Sequence, residues 1–248
     1  MKSISPVILS SVEEMGKAAA DYGASILREI LLTRKRVNLV VATGASQFTV
    51  LSNLITQPDI DWSRVHGFHL DEYVGMSADH PASFCRYLRE RFVEQVPLAS
   101  FEYIRGDCLN PDNECSRLAD VIDGLPLDLA FVGIGENGHL AFNDPPADFE
   151  SDNSYLVVEL DEACRRQQLG EGWFESLAKV PTHAISMSIR QIMKIENIVC
   201  SVPDLRKAEA VKLALQGPVT KNLPASILQQ HQKVKVFLEQ KAASGLSL

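Results

Sequence analysis

One loop of the sequence combines the residue types that proton transfer needs. Gly133–Pro146 follows an apolar run and carries His139 and Asp144 among its glycines. A single histidine is most often a structural residue, but one in a glycine loop beside carboxylates is well placed to exchange protons at neutral pH. We therefore expect the glycines to let the backbone approach a small substrate and to direct His139 and Asp144 towards it.

The start of the same loop, Gly133–Gly138, also matches the G-x-G-x-x-G fingerprint of dinucleotide-binding proteins. That fingerprint requires a helix that begins within the glycines. Here Asn143–Pro146 would end any helix within about two turns, because two prolines close the segment. The sequence therefore does not favour a dinucleotide-dependent dehydrogenase.

A second set of polar residues, Asp71–Tyr73, follows the apolar run that ends at Leu70. A carboxylate at the end of a parallel strand can act as a general base. Asp71 alone could equally be a solvated turn acid or a helix cap. His66 and His69 precede it at a spacing of three, which places them on opposite faces of a strand, so we expect ordinary packing for each and no shared metal.

A third set, Thr43–Gln47, comes after the apolar run Val37–Ala42. Its backbone N–H groups and two hydroxyls would lie at the start of a helix, where they can cradle an anion such as phosphate. The alternative is a tight strand-to-helix turn with Ser46 as a cap, since serine is favoured at caps anyway. The residues alone leave both interpretations open.

The elements that must position these three sets alternate between strand and helix. Ser11–Arg36 has helical apolar spacing, and Ser11 and Glu14 are placed as an N-terminal capping box. Further helices are predicted from about Phe48 and at Ala82–Gln95, Cys115–Asp123 and Leu205–Leu215, and strands at Val37–Ala42, Val65–Leu70, Leu127–Val132, Ile198–Val202 and Val234–Leu238. This order predicts a single α/β domain over residues 1–248, with a mostly parallel sheet that binds ligands at the carboxyl ends of its strands.

Charge and composition narrow the class of partner. The 248 residues carry a net charge of −8, which repels nucleic acid and anionic membranes, so a phosphate-bearing substrate would need a local positive site. No secretory leader or membrane-length apolar run is apparent, and the expected compartment is the cytoplasm. The five cysteines lack a C-x-x-C pair, so we expect neither a disulfide nor a structural zinc.

Two of these segments resemble the glucosamine-6-phosphate deaminases, also called isomerases. Leu70–Gly75 with the following His80–Phe84 is similar to the segment that carries the family's base, and Gly133–Pro145 is similar to its catalytic loop, G-x-G-x-x-G-H-x-x-F-N-[ED]-P. The resemblance extends over most of the chain. It implies a modified Rossmann-like fold and the conversion of glucosamine 6-phosphate and water into fructose 6-phosphate and ammonia, without a metal or organic cofactor.

The resemblance also implies a role for four residues. Asp71 matches the general base that moves a proton between C2 and C1 of the opened sugar through an enolamine. His139 matches the residue that assists opening of the pyranose ring, and Asn137 and Asp144 match two acidic positions that hold and tune this histidine. The family often has aspartate at the position of Asn137 and glutamate at that of Asp144. Asn137 can form hydrogen bonds but supplies no charge.

For the substrate phosphate, the resemblance points to the six residues Thr43, Gly44, Ala45, Ser46, Arg165 and Lys207. The commoner loop of the family is T-G-G-T-P, and the choice between Arg165 and its neighbour Arg166 is open by one position. The alternative for Lys207, at the start of a helix, is a solvated surface charge. The net charge of −8 favours the phosphate role, because an anionic substrate then needs local cations.

Three functions remain open from the sequence. The first is the isomerising deamination of glucosamine 6-phosphate, or of an epimer such as galactosamine 6-phosphate. The second is a hydrolase similar to the 6-phosphogluconolactonases, whose loop continues towards Ser-Leu-Phe-Pro where this chain has Ala141–Pro145. The third is a sugar-phosphate sensor without activity, which only Asn137 suggests. The expected partner is a small-molecule sugar phosphate, without nucleic acid or membrane, and the oligomeric state, including a homo-oligomer, is open.

Overall fold

The computed structural model describes residues 4–247, and at its centre lies a seven-stranded sheet. In spatial order its strands are β1 (Val7–Leu9), β10 (Val234–Glu239), β9 (Asn197–Val202), β6 (Leu129–Val132), β2 (Val37–Val41), β3 (Val65–His69) and β5 (Ser100–Glu102). Every neighbouring pair is parallel. The carboxyl ends of all seven strands therefore meet at one edge of the sheet.

Helices cover both faces of this sheet. Within the same residues they are α1 (Val12–Thr33), α2 (Phe48–Leu54), α3 (Phe84–Arg91), α4 (Pro111–Ile122), α5 (Glu162–Gly170), α6 (Ile189–Ile192) and α7 (Ala208–Gln216). Along β2, Val40 packs into one apolar core, with α4, α6 and α7, whereas Leu39 and Val41 pack into the other, with α1, α2 and α3. The strand is buried on both sides because its side chains alternate between the faces. The predicted α/β class is confirmed.

The ends of the predicted elements differ from the structure where local capping decides them. The hydroxyl of Ser11 caps α1 by accepting a hydrogen bond from the backbone N–H of Glu14 at 3.1 Å. The reciprocal half of the predicted capping box is not formed, because the Glu14 carboxylate accepts from the backbone N–H of Ser10 instead, at 3.2 Å. α4 begins before the predicted Cys115, since Asn110 accepts from two backbone N–H groups of its first turn.

A second, three-stranded sheet lies beside the carboxyl edge of the first one and was not predicted. It consists of β4 (Asp71–Tyr73), β8 (His183–Met187) and β7 (Tyr155–Glu159), paired antiparallel in that order. Only Leu70 separates β4 from β3, and the backbone N–H of Met187 donates to its carbonyl at 2.7 Å. The chain therefore changes sheets at the place where the sequence put the functional carboxylate.

Two further expectations concern membrane-spanning segments and the state of the cysteines. No helix within residues 4–247 is both long and apolar enough to cross a membrane. All five cysteines are free thiols, and four of them are buried. Burial raises the pKa of Cys115 and of Cys200 to about 12, so both thiols keep their protons at neutral pH.

Candidate active site

A cavity opens at the carboxyl ends of four neighbouring strands, β9, β6, β2 and β3. It brings together the three segments that the sequence singled out: Thr43–Ser46 follows β2, Asp71 follows β3, and His139 lies in the loop after β6. Lys207 reaches the same cavity from the turn after β9. This is where ligands bind in open parallel α/β sheets.

Asp71 presents a carboxylate to this cavity and is only 6% exposed. Its backbone is fixed in β4, opposite Ser186 of β8. Burial raises the pKa of Asp71 well above its ordinary value, the nearby Glu72 raises it further, and no hydrogen bond from residues 4–247 offsets these effects. A buried carboxylate without a partner is a strong proton acceptor, which is the property a general base needs.

Glu72 is the contrasting case, since its carboxylate is fully engaged by the protein. One oxygen accepts from the backbone N–H of Tyr73 at 2.8 Å, and the other from the Ser83 hydroxyl at 2.7 Å and the backbone N–H of Cys85 at 2.9 Å. These bonds fasten the start of α3 to β4. Of the two adjacent acids, Glu72 therefore takes the structural helix-cap role, and Asp71 remains free.

Replacing Asp71 by asparagine is expected to stabilise the protein above neutral pH. Because the folded-state pKa lies above the unfolded-state value, ionised Asp71 costs stability at pH values above its folded pKa, and this cost disappears below the unfolded-state value. The melting temperature of Asp71→Asn should exceed that of the wild type by about 2–4 °C at pH 8, and the two should match at about pH 3, below the unfolded-state pKa. Thermal denaturation at both pH values tests this; equal melting temperatures at pH 8 would contradict it.

His139 lies against the backbone of Gly135 in a loop that contains no helix. A Cβ atom on residue 135 would lie 2.2 Å from Nε2 of His139, so only glycine leaves room for the imidazole. The Asn143 amide ties the loop to β8 by donating to the carbonyl of Met187 at 2.9 Å. The first glycines of the loop therefore make space for a histidine and do not open a dinucleotide-binding helix.

Asp144 and Asn137 lie behind His139, away from the cavity lining. Nδ1 of His139 is 3.0 Å from an Asp144 oxygen, and the His139 backbone N–H donates to the Asn137 side-chain oxygen at 3.1 Å. Burial opposes ionisation of Asp144, but hydrogen bonds from His139, Asn137 and the backbone of Asp161 outweigh it and lower its pKa. An ionised Asp144 holds Nδ1 protonated and leaves Nε2 to act on a ligand.

Within residues 4–247, one set of potential metal ligands lies together: His139, Asp144 and Cys164, whose ligand-type atoms are within 4.8 Å of one another. Cys164 would have to bind as a thiolate, and burial raises the pKa of this thiol far above its ordinary value. Nδ1 of His139 already faces Asp144. The chemistry of these donors therefore fits an oriented histidine better than a metal centre.

The turn after β2 and Lys207 give this cavity groups that can bind an anion. Gly44 has a φ of 89°, a conformation that glycine adopts without strain, and it turns the chain into Ala45–Gln47, a short 3₁₀ turn before α2. Lys207 is 7% exposed and forms no ion pair with any of residues 4–247. Burial lowers its pKa, and the nearby charges of Glu171 and Glu136 offset this only in part. A buried ammonium group without a protein partner is completed by an anionic ligand.

Arg165 is not brought to the cavity. Its guanidinium donates to the backbone carbonyls of Leu177 and Val180, at 2.7 and 3.0 Å, and it thereby closes the loop after α5. Arg166 is exposed and pairs with Glu162 on the same helix. The expected phosphate role of Arg165 is therefore not supported by its position. The arginine that does line the cavity is Arg206, next to Lys207, which no sequence motif marked.

α5 contributes further groups that the sequence analysis missed. Gln168 lines the cavity, and its amide oxygen accepts from the Tyr73 hydroxyl at 2.9 Å, which leaves Nε2 available. Gln167 joins the loop after β6 to the end of α5: its oxygen accepts from the backbone N–H of Glu136, and its nitrogen donates to Glu171. These glutamines lack a local sequence signal, because an amphipathic helix tolerates glutamine almost anywhere.

Comparison with known proteins agrees with this arrangement. The family described as glucosamine-6-phosphate isomerases/6-phosphogluconolactonase matches residues 10–237. The glucosamine-6-phosphate deaminases of Bacillus cereus (strain G9842) and Bacillus anthracis (strain CDC 684 / NRRL 3495) are each 34% identical over 238 residues. The matched region covers 96% of this chain and 87% of each relative.

Comparison with solved structures also finds a glucosamine-6-phosphate deaminase and 6-phosphogluconolactonases. A monomeric glucosamine-6-phosphate deaminase superposes with a TM-score of 0.90 at 29% identity, over 98% of this chain and all of that one. A 6-phosphogluconolactonase from Shewanella baltica OS155 superposes with a TM-score of 0.79 at 20% identity, over 96% and 98% of the two chains, which shows the shared fold. The expected Rossmann-like fold is thus confirmed, and this chain belongs to the family of glucosamine-6-phosphate isomerases and 6-phosphogluconolactonases.

Proposed function

We propose that this protein converts glucosamine 6-phosphate and water into fructose 6-phosphate and ammonia. One observation carries the proposal: a buried, unpartnered carboxylate, Asp71, and a carboxylate-bound histidine, His139, line the same cavity, and a buried ammonium group, Lys207, lines it as well. These are the groups that proton transfer on a phosphorylated sugar requires. The deaminases that match at 34% identity support the same reaction.

The first step is opening of the pyranose ring. Nε2 of His139 accepts the proton of the C1 hydroxyl and delivers a proton to the ring oxygen, and the bond between C1 and that oxygen breaks to give the open-chain aldehyde. The imidazolium that forms in between is stabilised by Asp144, whose carboxylate is held in place by Asn137. The histidine ends this step in its original protonation state.

In the second step Asp71 removes the proton from C2 while the C2 ammonium group of the substrate gives a proton to the aldehyde oxygen, which yields a neutral enolamine. The carboxylic acid of Asp71 then returns its proton to C1, and C2 becomes an iminium carbon. Water adds to C2, ammonia leaves, and the ketone of fructose 6-phosphate remains. Burial of Asp71 supports this role because its raised pKa strengthens it as a base.

In this proposal the phosphate group binds at the turn after β2 and at Lys207. Thr43–Ser46 offers backbone N–H groups and two hydroxyls, and Lys207 supplies a positive charge. Gln168 lines the cavity with its amide oxygen held by the Tyr73 hydroxyl, and its Nε2 would donate to a sugar hydroxyl. Binding at the phosphate anchors the sugar while its other end reacts.

Asp71 also separates this proposal from lactone hydrolysis. Hydrolysis of a 6-phosphogluconolactone needs an activated water molecule but no proton transfer at carbon. It therefore does not explain Asp71, a buried carboxylate without a hydrogen-bond partner in residues 4–247, in addition to the His139–Asp144 pair. The likeness to 6-phosphogluconolactonases is at 20% identity and concerns the fold. The base therefore favours the deaminase.

The proposal is tested by measuring ammonia and fructose 6-phosphate released from glucosamine 6-phosphate by the purified protein. Galactosamine 6-phosphate and 6-phosphogluconolactone are assayed in parallel, so that an epimer preference or a lactonase is recognised directly. Equal release of the two products from glucosamine 6-phosphate is the expected result. Hydrolysis of the lactone alone, or sugar-phosphate binding without turnover of any of the three, would overturn the proposal.

The two arginines near the phosphate region are expected to respond differently to substitution. Arg206 faces the cavity but already pairs with Asp204 and Glu136, at 2.6 and 3.2 Å, so Arg206→Met should raise KM only about three- to tenfold. Arg165→Met should leave KM unchanged and lower the free energy of unfolding by about 1–3 kcal/mol, because two partly buried carbonyls lose their donor. Steady-state kinetics and denaturation of both variants test this; a raised KM in Arg165→Met would restore its predicted role.

A further inference from the structure

Asp161 lies next to the residues that hold His139, although no sequence motif marked it. One oxygen of its carboxylate caps α5 by accepting from the backbone N–H of Cys164 at 2.6 Å. The other oxygen accepts from the side-chain nitrogen of Asn137 at 3.0 Å. Its own backbone N–H donates to Asp144 at 3.0 Å. Asp161 is therefore joined to both groups behind the histidine.

These bonds fix the orientation of Asn137. Its side-chain oxygen accepts from the His139 backbone, and its two amide hydrogens go to Asp144 and Asp161, both at 3.0 Å. An aspartate at position 137 would place a third negative oxygen within hydrogen-bond distance of two carboxylates. Asparagine is therefore the residue that the pair of Asp144 and Asp161 requires at this position.

We propose that Asp161 is a positioning residue, which supplies through Asn137 the second negative charge behind His139. Asn137 is uncharged, and the negative charge lies instead on Asp161, one hydrogen bond further from His139. Because Asn137 donates one amide hydrogen to Asp161, its hydrogen bond to Asp144 becomes weaker. The strongest hydrogen bond that Asp144 accepts is then the one from Nδ1 of His139. The expected effect on turnover rests on the proposed deaminase function; the expected effect on the histidine does not.

The test exchanges the two side chains. Asp161→Asn keeps a good helix cap and removes the charge, so kcat should fall about tenfold while KM changes less than about twofold. Asn137→Asp alone gathers three carboxylates and should lower kcat at least as much. The double variant Asn137→Asp/Asp161→Asn again has two negative charges behind His139 and should recover to within about threefold of the wild type. Asp112→Asn, an exposed acid at the start of α4, is the matched control without effect.

A spectroscopic readout keeps the test independent of turnover. The Nδ1 proton of His139 should resonate far downfield, because it is shared with Asp144. It should move upfield in Asp161→Asn and return in the double variant. A resonance that stays in place in Asp161→Asn would overturn the proposal, as would additive losses of kcat in the double variant. A wild-type protein without turnover that shows the expected shifts would sink the deaminase and leave the positioning role standing.

Discussion

Asp71→Asn is expected to lower kcat for glucosamine 6-phosphate by about 10³-fold while the affinity for the sugar phosphate stays within about twofold. The substitution keeps the shape of the side chain and removes the carboxylate that, among those lining the cavity within residues 4–247, accepts no hydrogen bond: Glu171 accepts from Gln167, and Asp204 pairs with Arg206. In the proposed mechanism this carboxylate acts twice, at C2 and then at C1. Its loss therefore affects two proton transfers, and neither involves the phosphate.

The measurement separates chemistry from binding. Product release gives kcat, calorimetric titration with fructose 6-phosphate gives affinity, and exchange of the C1 proton of fructose 6-phosphate with deuterated solvent in the presence of ammonium reports on the base. Asp79→Asn, an exposed acid in the segment after β4, serves as the control and should change none of the three values. Retention of more than about a tenth of wild-type turnover in Asp71→Asn would show that another group removes the proton.

The main sheet could be predicted because its central strands are buried on both faces. Such strands form short apolar runs, and all five predicted runs are strands of the parallel sheet. β1 and β5 were missed because both are three residues long and lie at the edges of the sheet, where partly exposed side chains weaken the apolar pattern. Strand burial therefore decided what the sequence alone could predict.

The small sheet could not be predicted for a different reason. β4 has only three residues, and two of them are acidic, so no local preference for a strand is present. Its strand conformation depends on pairing with β8, which lies far along the chain. The sequence accordingly placed Asp71 at a strand end, and the structure adds that the chain enters a second sheet there, which fixes the direction of the carboxylate.

Prediction of the site residues has the same limit as prediction of the small sheet. His139, Asp144 and Asp71 could be singled out because glycines, prolines or an apolar run mark their positions. Asp161 could not, because aspartate before a helix is fully explained as a cap, and its second contact, with Asn137, comes from a separate segment. Residue type and spacing thus identify groups within one segment, whereas partners across segments need the fold.

Lys207→Met is expected to raise KM for glucosamine 6-phosphate about 10- to 100-fold. A hydrogen bond between an ammonium group and a phosphate contributes about 1.5–3 kcal/mol, and each 1.4 kcal/mol corresponds to about tenfold in affinity. Methionine keeps the length and the apolar contacts of the side chain. Because burial lowers the pKa of Lys207 in the folded protein, the cation costs stability at neutral pH, and the variant should unfold at the same temperature as the wild type or higher.

This combination distinguishes a binding residue from a structural one. Loss of a structural lysine would lower the melting temperature. Loss of a lysine that binds an anionic ligand would remove only the increase in melting temperature that the anion causes. Inorganic phosphate should therefore raise the melting temperature of the wild type and of the exposed control Lys212→Met, but not that of Lys207→Met. An unchanged KM together with a lowered melting temperature would assign Lys207 to the scaffold, and the positive charge for the phosphate would then have to come from Arg206.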